Sequence, residues 1–482
     1  MIATQDAPIA ESGERSPAGR WALVSLSLSM LLSSLGTSIA NVALPTLAQA
    51  FDASFRQVQW IVLAYLLAIT TLIVSVGRLG DITGRRRLLL IGIALFTVAS
   101  LACGAAPTLG SLVAARAAQG LGAAIMMALT MALIGETVAK EKTGGAMGLL
   151  GTMSAVGTAL GPSLGGVLIA GFGWRAIFLV KVPLGVLTFI LAYRALPPDR
   201  PKLRPRPAGF DMAGTLLLAL TLAAYALAMT VGGAKFEALT VLLLAAAVVG
   251  TGLFALVEAR VASPLIRLAM FRDSALSASL AMNALVATVI MTTFVVGPFY
   301  LSRALGLNEA LVGAVMAIGP VISTLSGVPA GRIVDRLGAP LVVVVGLAVM
   351  AAGSFALSLL PAIFGIAGYI AAIAVLTPGY QLFQAANNTT VMMDIDADQR
   401  GVVSGMLNLS RNLGLITGAS FMGAVFALAS GAIVTTAPPE AVAAGMQITF
   451  VVAAILIVVA LALALGGRAA GARASVVDGT SR

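Results

Sequence analysis

Apolar residues in this chain neither alternate with polar ones nor form short one-faced stripes. They run on for about twenty positions at a time, and most charged residues fall in the short gaps between runs. A helix needs roughly 20 apolar residues to cross a hydrocarbon layer about 30 Å thick. Fourteen runs reach that length: 21–46, 57–77, 87–106, 110–136, 143–170, 174–196, 211–231, 237–258, 274–301, 309–331, 339–360, 363–390, 402–429 and 447–466. Several carry Gly and Pro, which membrane helices tolerate because neighbouring helices re-satisfy freed backbone groups. The pattern predicts an all-α integral membrane protein with 14 transmembrane helices.

Two gaps repeat each other. Gly77-Arg78-Leu79-Gly80-Asp81-Ile82-Thr83-Gly84-Arg85-Arg86-Arg87 follows the second run. Gly331-Arg332-Ile333-Val334-Asp335-Arg336-Leu337-Gly338 follows the tenth, 254 positions later. Both read G-R-x-x-D-x-x-G. If each repeat unit holds six spans, the units are spans 1–6 and 9–14, with spans 7 and 8 inserted between them. The expected division is a tail (1–20), a six-helix bundle (21–196), a linker (197–210), two inserted helices (211–258), a second linker (259–273), a second six-helix bundle (274–466) and a tail (467–482). The stretch 194–210 holds five basic residues and five prolines and cannot make a core.

Composition sharpens the class. Hydrophobic residues are 59% of 482 and charged residues 10%, against about 25% charged in a soluble domain, so lipid must solvate the chain. The net charge of +10 does not point to nucleic acid, because the basic residues sit in short loops and form no continuous patch. With the N-terminus cytoplasmic, 22 of the 29 basic residues lie on that side, four lie opposite (Arg56, Arg175, Lys235, Arg303) and three lie inside spans. The excess of basic loops inside places both termini in the cytoplasm of the plasma (inner) membrane. A single cysteine and no histidine exclude a disulfide framework and argue against a zinc or haem site, so no cofactor is expected. No Ser-His-Asp or Cys-His nucleophile system can be assembled, no Walker loop is present, and an enzyme is not expected.

Candidate chemistry is sparse. In the hinge loop, glycines allow tight turns and Asp81 can accept from helix N-terminal amides or nearby arginines. Such a loop either gates two bundles or only marks topology. Gly157, Gly161 and Gly165 share one helix face and let another backbone approach, while Pro162 removes a helix hydrogen bond and permits a bend. Charges inside spans are costly and point to function: Arg116, about 10 Å deep and sharing a face with Gln119; Lys181 at similar depth; and Arg411 at mid-depth, either in a cavity or bonded to carbonyls between helices. Gln381, Gln384, Asn387 and Asn388 gather near the inner end of the twelfth span. They line a vestibule or tie helices together.

These stretches resemble the major facilitator superfamily, in particular its fourteen-span drug:proton antiporter branch. The hinge pattern G-x-L-x-D-x-x-G-[RK]-[RK] matches at Gly77, Leu79, Asp81, Gly84, Arg85 and Arg86. Arg116-Ala117-Ala118-Gln119-Gly120 resembles the fourth-span pattern R-x-x-Q-G. Gly157, Gly161, Pro162, Gly165 and Gly166 resemble the fifth-span antiporter motif. The likeness covers about residues 20–466. It implies two facing six-helix bundles in the major facilitator fold, and alternating access with the substrate site between bundles near mid-membrane. It implies a gate at Gly77, Asp81, Gly84, Arg85 and Arg86, with Asp335 and Arg336 as second-half counterparts. A substrate or coupling cavity is expected to include Asn41, Arg116, Gln119, Lys181, Gln384, Asn387 and Arg411.

One position departs from the resemblance. Family members read close to L-D-x-T-I-V-N-V-A-L-P in the first span, and this chain reads Leu35-Gly36-Thr37-Ser38-Ile39-Ala40-Asn41-Val42-Ala43-Leu44-Pro45. The resemblance implies a carboxylate proton site paired with the fourth-span arginine, and Gly36 stands in its place. The remaining acids at span edges are Glu136, Asp211 and Glu258. Glu136 and Asp211 are candidate proton carriers, and Asp211 is equally a helix N-cap. A cavity with Arg116 and Lys181 and no central acid disfavours permanently cationic compounds. The expected function is export of small amphiphilic compounds, proton-coupled, by a monomer. Dedicated metabolite or organic-anion transport is the alternative in the same class, and a transport-incompetent membrane receptor or scaffold the alternative outside it.

Overall fold

The structure, a computed structural model, describes residues 17–137, 143–199, 211–231, 238–261, 272–393, 400–431 and 437–479, with single positions 264, 270 and 434. Within these, the side chains at 17–18, 74, 77–78, 81–82, 135–136, 143–145, 147–148, 151, 155, 231, 392–393, 400–402, 404–405 and 467–479 lie outside the description. The elements are α1 (Pro17–Val42), α2 (Leu44–Ala50), α3 (Phe55–Thr83), α4 (Arg85–Ala105), α5 (Leu109–Thr137), α6 (Thr143–Phe172), α7 (Ala176–Leu179), α8 (Lys181–Ala195), α9 (Met212–Val231), α10 (Ala238–Glu258), α11 (Ser274–Phe299), α12 (Glu309–Leu337), α13 (Ala339–Met393), α14 (Arg400–Thr417), α15 (Gly423–Ala429) and α16 (Pro439–Gly479). Short π-helical turns at Tyr300–Ala304 and Gly418–Met422 extend α11 and join α14 to α15. No strand occurs among the described residues. In hydrocarbon an open sheet edge has no water to satisfy it, whereas a helix closes its own hydrogen bonds.

Local chemistry marks the helix starts. Ser54 and Gln57 form a reciprocal capping box on α3. Asp273 accepts from Ala275 N (2.9 Å) at the start of α11, and Asn308 from Leu311 N (2.9 Å) at the start of α12. Thirteen helical stretches among the described residues are long and apolar enough to cross a membrane.

One of these, Ala339–Val391, is 53 residues long and would reach about 80 Å if straight, far beyond a bilayer. It is not straight, because Gly365 has non-helical φ 56° and ψ −129°. A side chain added at Gly353 would lie 2.6 Å from Leu376 Cα, and one at Gly346 2.6 Å from Phe383 N. Stepping forward from 346 to 353 steps the partner back from 383 to 376, so the two arms run antiparallel about Gly365. The turn falls two residues inside the run expected at 363–390.

Another difference is at the sixth run, expected at 174–196. It is divided into α7 and α8 at Val180, where Pro183 cannot donate the amide hydrogen bond a continuous helix would need.

The repeat persists in three dimensions. Gly84 and Gly338, 254 positions apart, end α3 and α12 with similar backbones, φ 98° and ψ 127° against φ 81° and ψ 141°. At the same offset, Gly92 and Gly346 each bring a third-in-unit helix against its successor. Gly92 O lies 2.8 Å from a side chain added at Gly122, and Gly379 O lies 2.9 Å from one added at Gly346. One group packs α1, α3, α4, α5, α6 and α8 together; a second packs α11, α12, α13, α14, α15 and α16. The pair α9–α10 lies outside both, with α9 against α3 through Ser75–Thr215 (2.8 Å) and Trp60–Thr230 (3.1 Å) and against α14 through Tyr225–Thr417 (3.3 Å).

The hairpin arms generate a test. Gly353→Leu should lower the thermal midpoint of the purified protein in detergent, equivalent to about 1–3 kcal/mol of overpacking. Gly327→Leu, where an added side chain meets nothing within 4 Å, should leave it unchanged. Equal melting of the two variants would contradict the packing described.

Candidate functional site

Two ends of the molecule must be distinguished. The hinge end carries Gly84 and Gly338, and the opposite end carries the turns at 51–54, 106–108, 173–175 and 305–308. The described hydrogen-bonded, ring and close-backbone contacts between the two groups lie toward the opposite end. Phe55 meets Phe299 edge-on at 4.7 Å and Phe426 at 5.4 Å. Gln59 Nε2 donates to Ala419 O at 2.7 Å. Side chains added at Gly166 and Gly313 would each lie 2.8 Å from the other's Cα, so α6 and α12 touch backbone to backbone. The buried apolar residues divide the same way. One core joins both groups through Leu47, Phe55, Phe299 and Phe426. A second belongs to the first group alone and holds its hinge-end residues, among them Met30, Ile69, Leu88, Leu133 and Leu196.

The fifth-span motif therefore has two faces. Gly157, Gly161 and Gly165 point at α1: an added side chain would sit 2.5 Å from Leu31 O at Gly157, 2.9 Å from Ile39 N at Gly161, and 2.7 Å from Val42 Cγ1 at Gly165. Ser38 Oγ donates to Gly157 O across the same seam (3.3 Å). On the other face, Pro162 O and Gly166 meet Gly313 of the second group. Nothing in the sequence distinguishes Gly313 from Gly319, Gly327 and Gly331 of the same run or marks its partner.

Arg116 is fully buried inside the first group. Its Nε donates to Ile61 O (2.9 Å), and its Nη1 to Gly36 O (3.1 Å) and Gln119 Oε1 (2.5 Å). Gln119 donates in turn to Ser100 Oγ (2.6 Å), which donates to Phe96 O (2.7 Å). The guanidinium lies 4.1 Å over the Tyr65 ring, and the Tyr65 hydroxyl donates to Ser33 O (2.8 Å). One side chain thus joins α1, α3 and α5, with α4 one bond further on. Neutral dipoles and a ring face surround the charge where a carboxylate would be expected. A side chain at Gly36 would begin 2.7 Å from the Tyr65 hydroxyl and 3.3 Å from Phe96 Cε2, so Tyr65 fills the space of the missing acid. Tyr65 is not legible as part of this site in the sequence, because a tyrosine in an apolar run carries no signal of its neighbours.

Lys181, the first residue of α8, is also 0% exposed, and its Nζ has no hydrogen-bond partner among the described residues. The faces of Phe178 and Phe96 lie 5.0 and 5.9 Å away. Asn41 donates to Thr37 O (3.1 Å) within α1, and its Oδ1 is buried with no hydrogen-bond partner among the described residues. In the second group Asn387 is buried and donates weakly to Ser279 O (3.5 Å), while half-buried Gln384 donates to Tyr380 Oη (3.0 Å). Arg411 is half-buried on α14. The expected cavity residues thus fall into two sets, one inside each group: Arg116 with Gln119 in the first, and Asn387 with Gln384 on α13.

At the hinge end, Gly77 and Asp81 lie on α3 with their side chains outside the description, as does that of Glu136 on α5. Arg85 and Arg86 open α4, and Arg86 Nη2 donates to Tyr193 O (2.5 Å). The Asp199 carboxylate, which the sequence reading did not single out, accepts from Arg86 N (2.9 Å) and Arg87 N (3.0 Å). Asp335 and Arg336 are exposed. Asp211 caps α9, accepting from Gly214 N at 2.7 Å, and a side chain at Gly214 would meet both the Asp211 and Glu258 carboxylates.

Residues 26–419 match the family model described as Major Facilitator Superfamily. The riboflavin transporter RibZ of Clostridioides difficile (strain 630) is 28% identical over 407 residues, covering 84% of this chain and 88% of that protein. The multidrug efflux pump LfrA of Mycolicibacterium smegmatis (strain ATCC 700084 / mc(2)155) is 31% identical, covering 86% and 82%. Among solved structures, a bacterial homolog to the human lysosomal transporter Spinster superposes with a TM-score of 0.67 at 16% identity, covering 93% of this chain and 97% of that one. Repeated hinges, paired helix groups and a family match over most of the chain agree, and this multi-pass membrane protein belongs to the Major Facilitator Superfamily.

Proposed function

We propose that the protein is a secondary exporter of small amphiphilic compounds that works by alternating access and exchanges substrate for protons. In this reading it lies in the plasma (inner) membrane as a fourteen-span monomer with both termini and both hinges cytoplasmic. Residues 21–196 and 274–466 form the moving bundles, and 211–258 the inserted pair. The observation that carries the reading is the division of the cores. One core runs the length of the second group, from Val334 and Ala339 beside its hinge, and takes in the first group only toward the opposite end, while the hinge-end core of the first group stands apart. With the hinges cytoplasmic, the bundles part toward the side where an exporter loads. The likeness to LfrA supports efflux. The likeness to RibZ favours a second reading, transport of one dedicated metabolite.

Coupling cannot use the first-span acid, because position 36 is glycine and Tyr65 occupies its space. Asp211, buried to 8% exposure beside Gly214, and Glu136 are the candidate proton carriers in this reading. Arg116 and Lys181 without a central carboxylate favour neutral or anionic amphiphiles over permanent cations.

Two measurements test this. In an efflux-deficient host, expression should raise tolerance to neutral and anionic amphiphiles, and a protonophore should abolish the gain. Strong ethidium extrusion would overturn the charge preference, and unchanged accumulation of every compound would overturn export. Separately, Gly36→Asp should destabilise the purified protein by about 1–3 kcal/mol of overpacking against Tyr65 and Phe96. Gly36→Ala, which adds only the first side-chain carbon, 2.7 Å from the Tyr65 hydroxyl, should lose less than Gly36→Asp. A Gly36→Asp protein that melts like the parent would refute the filling role given to Tyr65.

A further inference from the structure

The start of α4 is capped from a distance. A helix begins with amides that have no partner within the helix, and an anion there gains from both hydrogen bonds and the helix dipole. Gly84, the residue before α4, has no side chain to supply that acceptor. Asp199 does so from more than one hundred residues away, four residues beyond the end of α8, accepting from Arg86 N and Arg87 N. The fit is close: a side chain added at Gly84 would lie 2.6 Å from Asp199 Cγ. Gly84 is thus required twice, for its φ of 98° and for the space the carboxylate occupies. Beside it, Arg86 stacks 5.3 Å over the Tyr193 ring and donates to Tyr193 O, joining the same loop to the last turn of α8.

The second hinge has the same backbone and a different neighbourhood. A side chain added at Gly338 would meet nothing within 4 Å, and Asp335 and Arg336 are exposed. The carboxylate is therefore not a requirement of the G-R-x-x-D-x-x-G turn, which forms at Gly338 without one. It distinguishes one hinge from the other, and it belongs to the segment that leaves the first bundle for the rest of the chain.

We infer that Asp199 is a positioning residue for the conformational cycle: it latches the first hinge loop to the start of the inter-bundle linker when the bundles are parted at the hinge end. This rests on the alternating-access reading above. A contact made in one access state and lost in the other shifts the balance between them by its own free energy. Asp199 is exposed, so water and salt weaken the contact, and the shift expected from a cap and dipole interaction is about three- to tenfold in population.

The test is cysteine accessibility in membranes holding the full chain, in a Cys103→Ser background. Gln384→Cys reports opening at the hinge end, and Gln59→Cys, now packed against Ala419, reports opening at the opposite end. Adding Asp199→Ala should slow labelling of the first by a membrane-permeant maleimide and speed labelling of the second, changing their ratio about three- to tenfold. Asp199→Asn, which keeps one carbonyl acceptor and loses the charge, should fall between and guards against a misfolded alanine variant. An unchanged ratio in both variants overturns the latch, and so does lost transport with an unchanged ratio, since Asp199 would then serve folding alone. Labelling needs no substrate. A parent protein that exports nothing would therefore refute the exporter reading and still leave the latch to be decided here.

Discussion

Everything proposed for this molecule depends on how closely α6 approaches its two neighbours. Lipid offers helices no hydrophobic incentive to associate, so association comes from backbone proximity and dispersion, which small residues permit. On one face of α6, Gly157, Gly161 and Gly165 admit α1. On the other, Gly166 and the Pro162 carbonyl meet Gly313 of the second bundle. The first face holds a bundle together and the second holds the two bundles at one end. In the alternating-access reading proposed above, motion between bundles pivots where that second seam survives, and the separate hinge-end core of the first bundle agrees with such a pivot.

Arg116 is a buried charge with no ion pair among the described residues, and its Nη2 has no hydrogen-bond partner among them. An isolated cation in low dielectric is costly, and removing its partners would cost more than the bonds themselves are worth. Here carbonyls of α1 and α3, the Gln119 amide and the Tyr65 ring share the charge. The arrangement is structural in its effect, fastening three helices. It also explains how the bundle accommodates Gly36: the hydroxyl of Tyr65 and the edge of Phe96 fill what a carboxylate would have filled.

The hinges show that equal sequence need not mean equal surroundings. Gly84 and Gly338 turn alike because glycine alone reaches that φ without strain. Only the first has an anion seated against it among the described residues. A duplicated turn can thus be given different work by one residue contributed from elsewhere in the chain.

Much was legible from the order of residues alone. Long apolar runs dictate membrane helices, because hydrocarbon thickness sets their length. The 254-residue echo from Gly77 to Gly331 announces two related units, and the i, i+4, i+8 glycines announce a packing seam on one face of α6. These are local or periodic properties, and periodicity survives in one dimension. Tertiary structure decided which groups meet. Gly313 as the mate of Gly166, Tyr65 in the place of a first-span acid, Asp199 on the amides of α4 and the antiparallel arms about Gly365 all join residues far apart in the chain. No spacing rule encodes such meetings, because each depends on how independently formed helices pack in three dimensions.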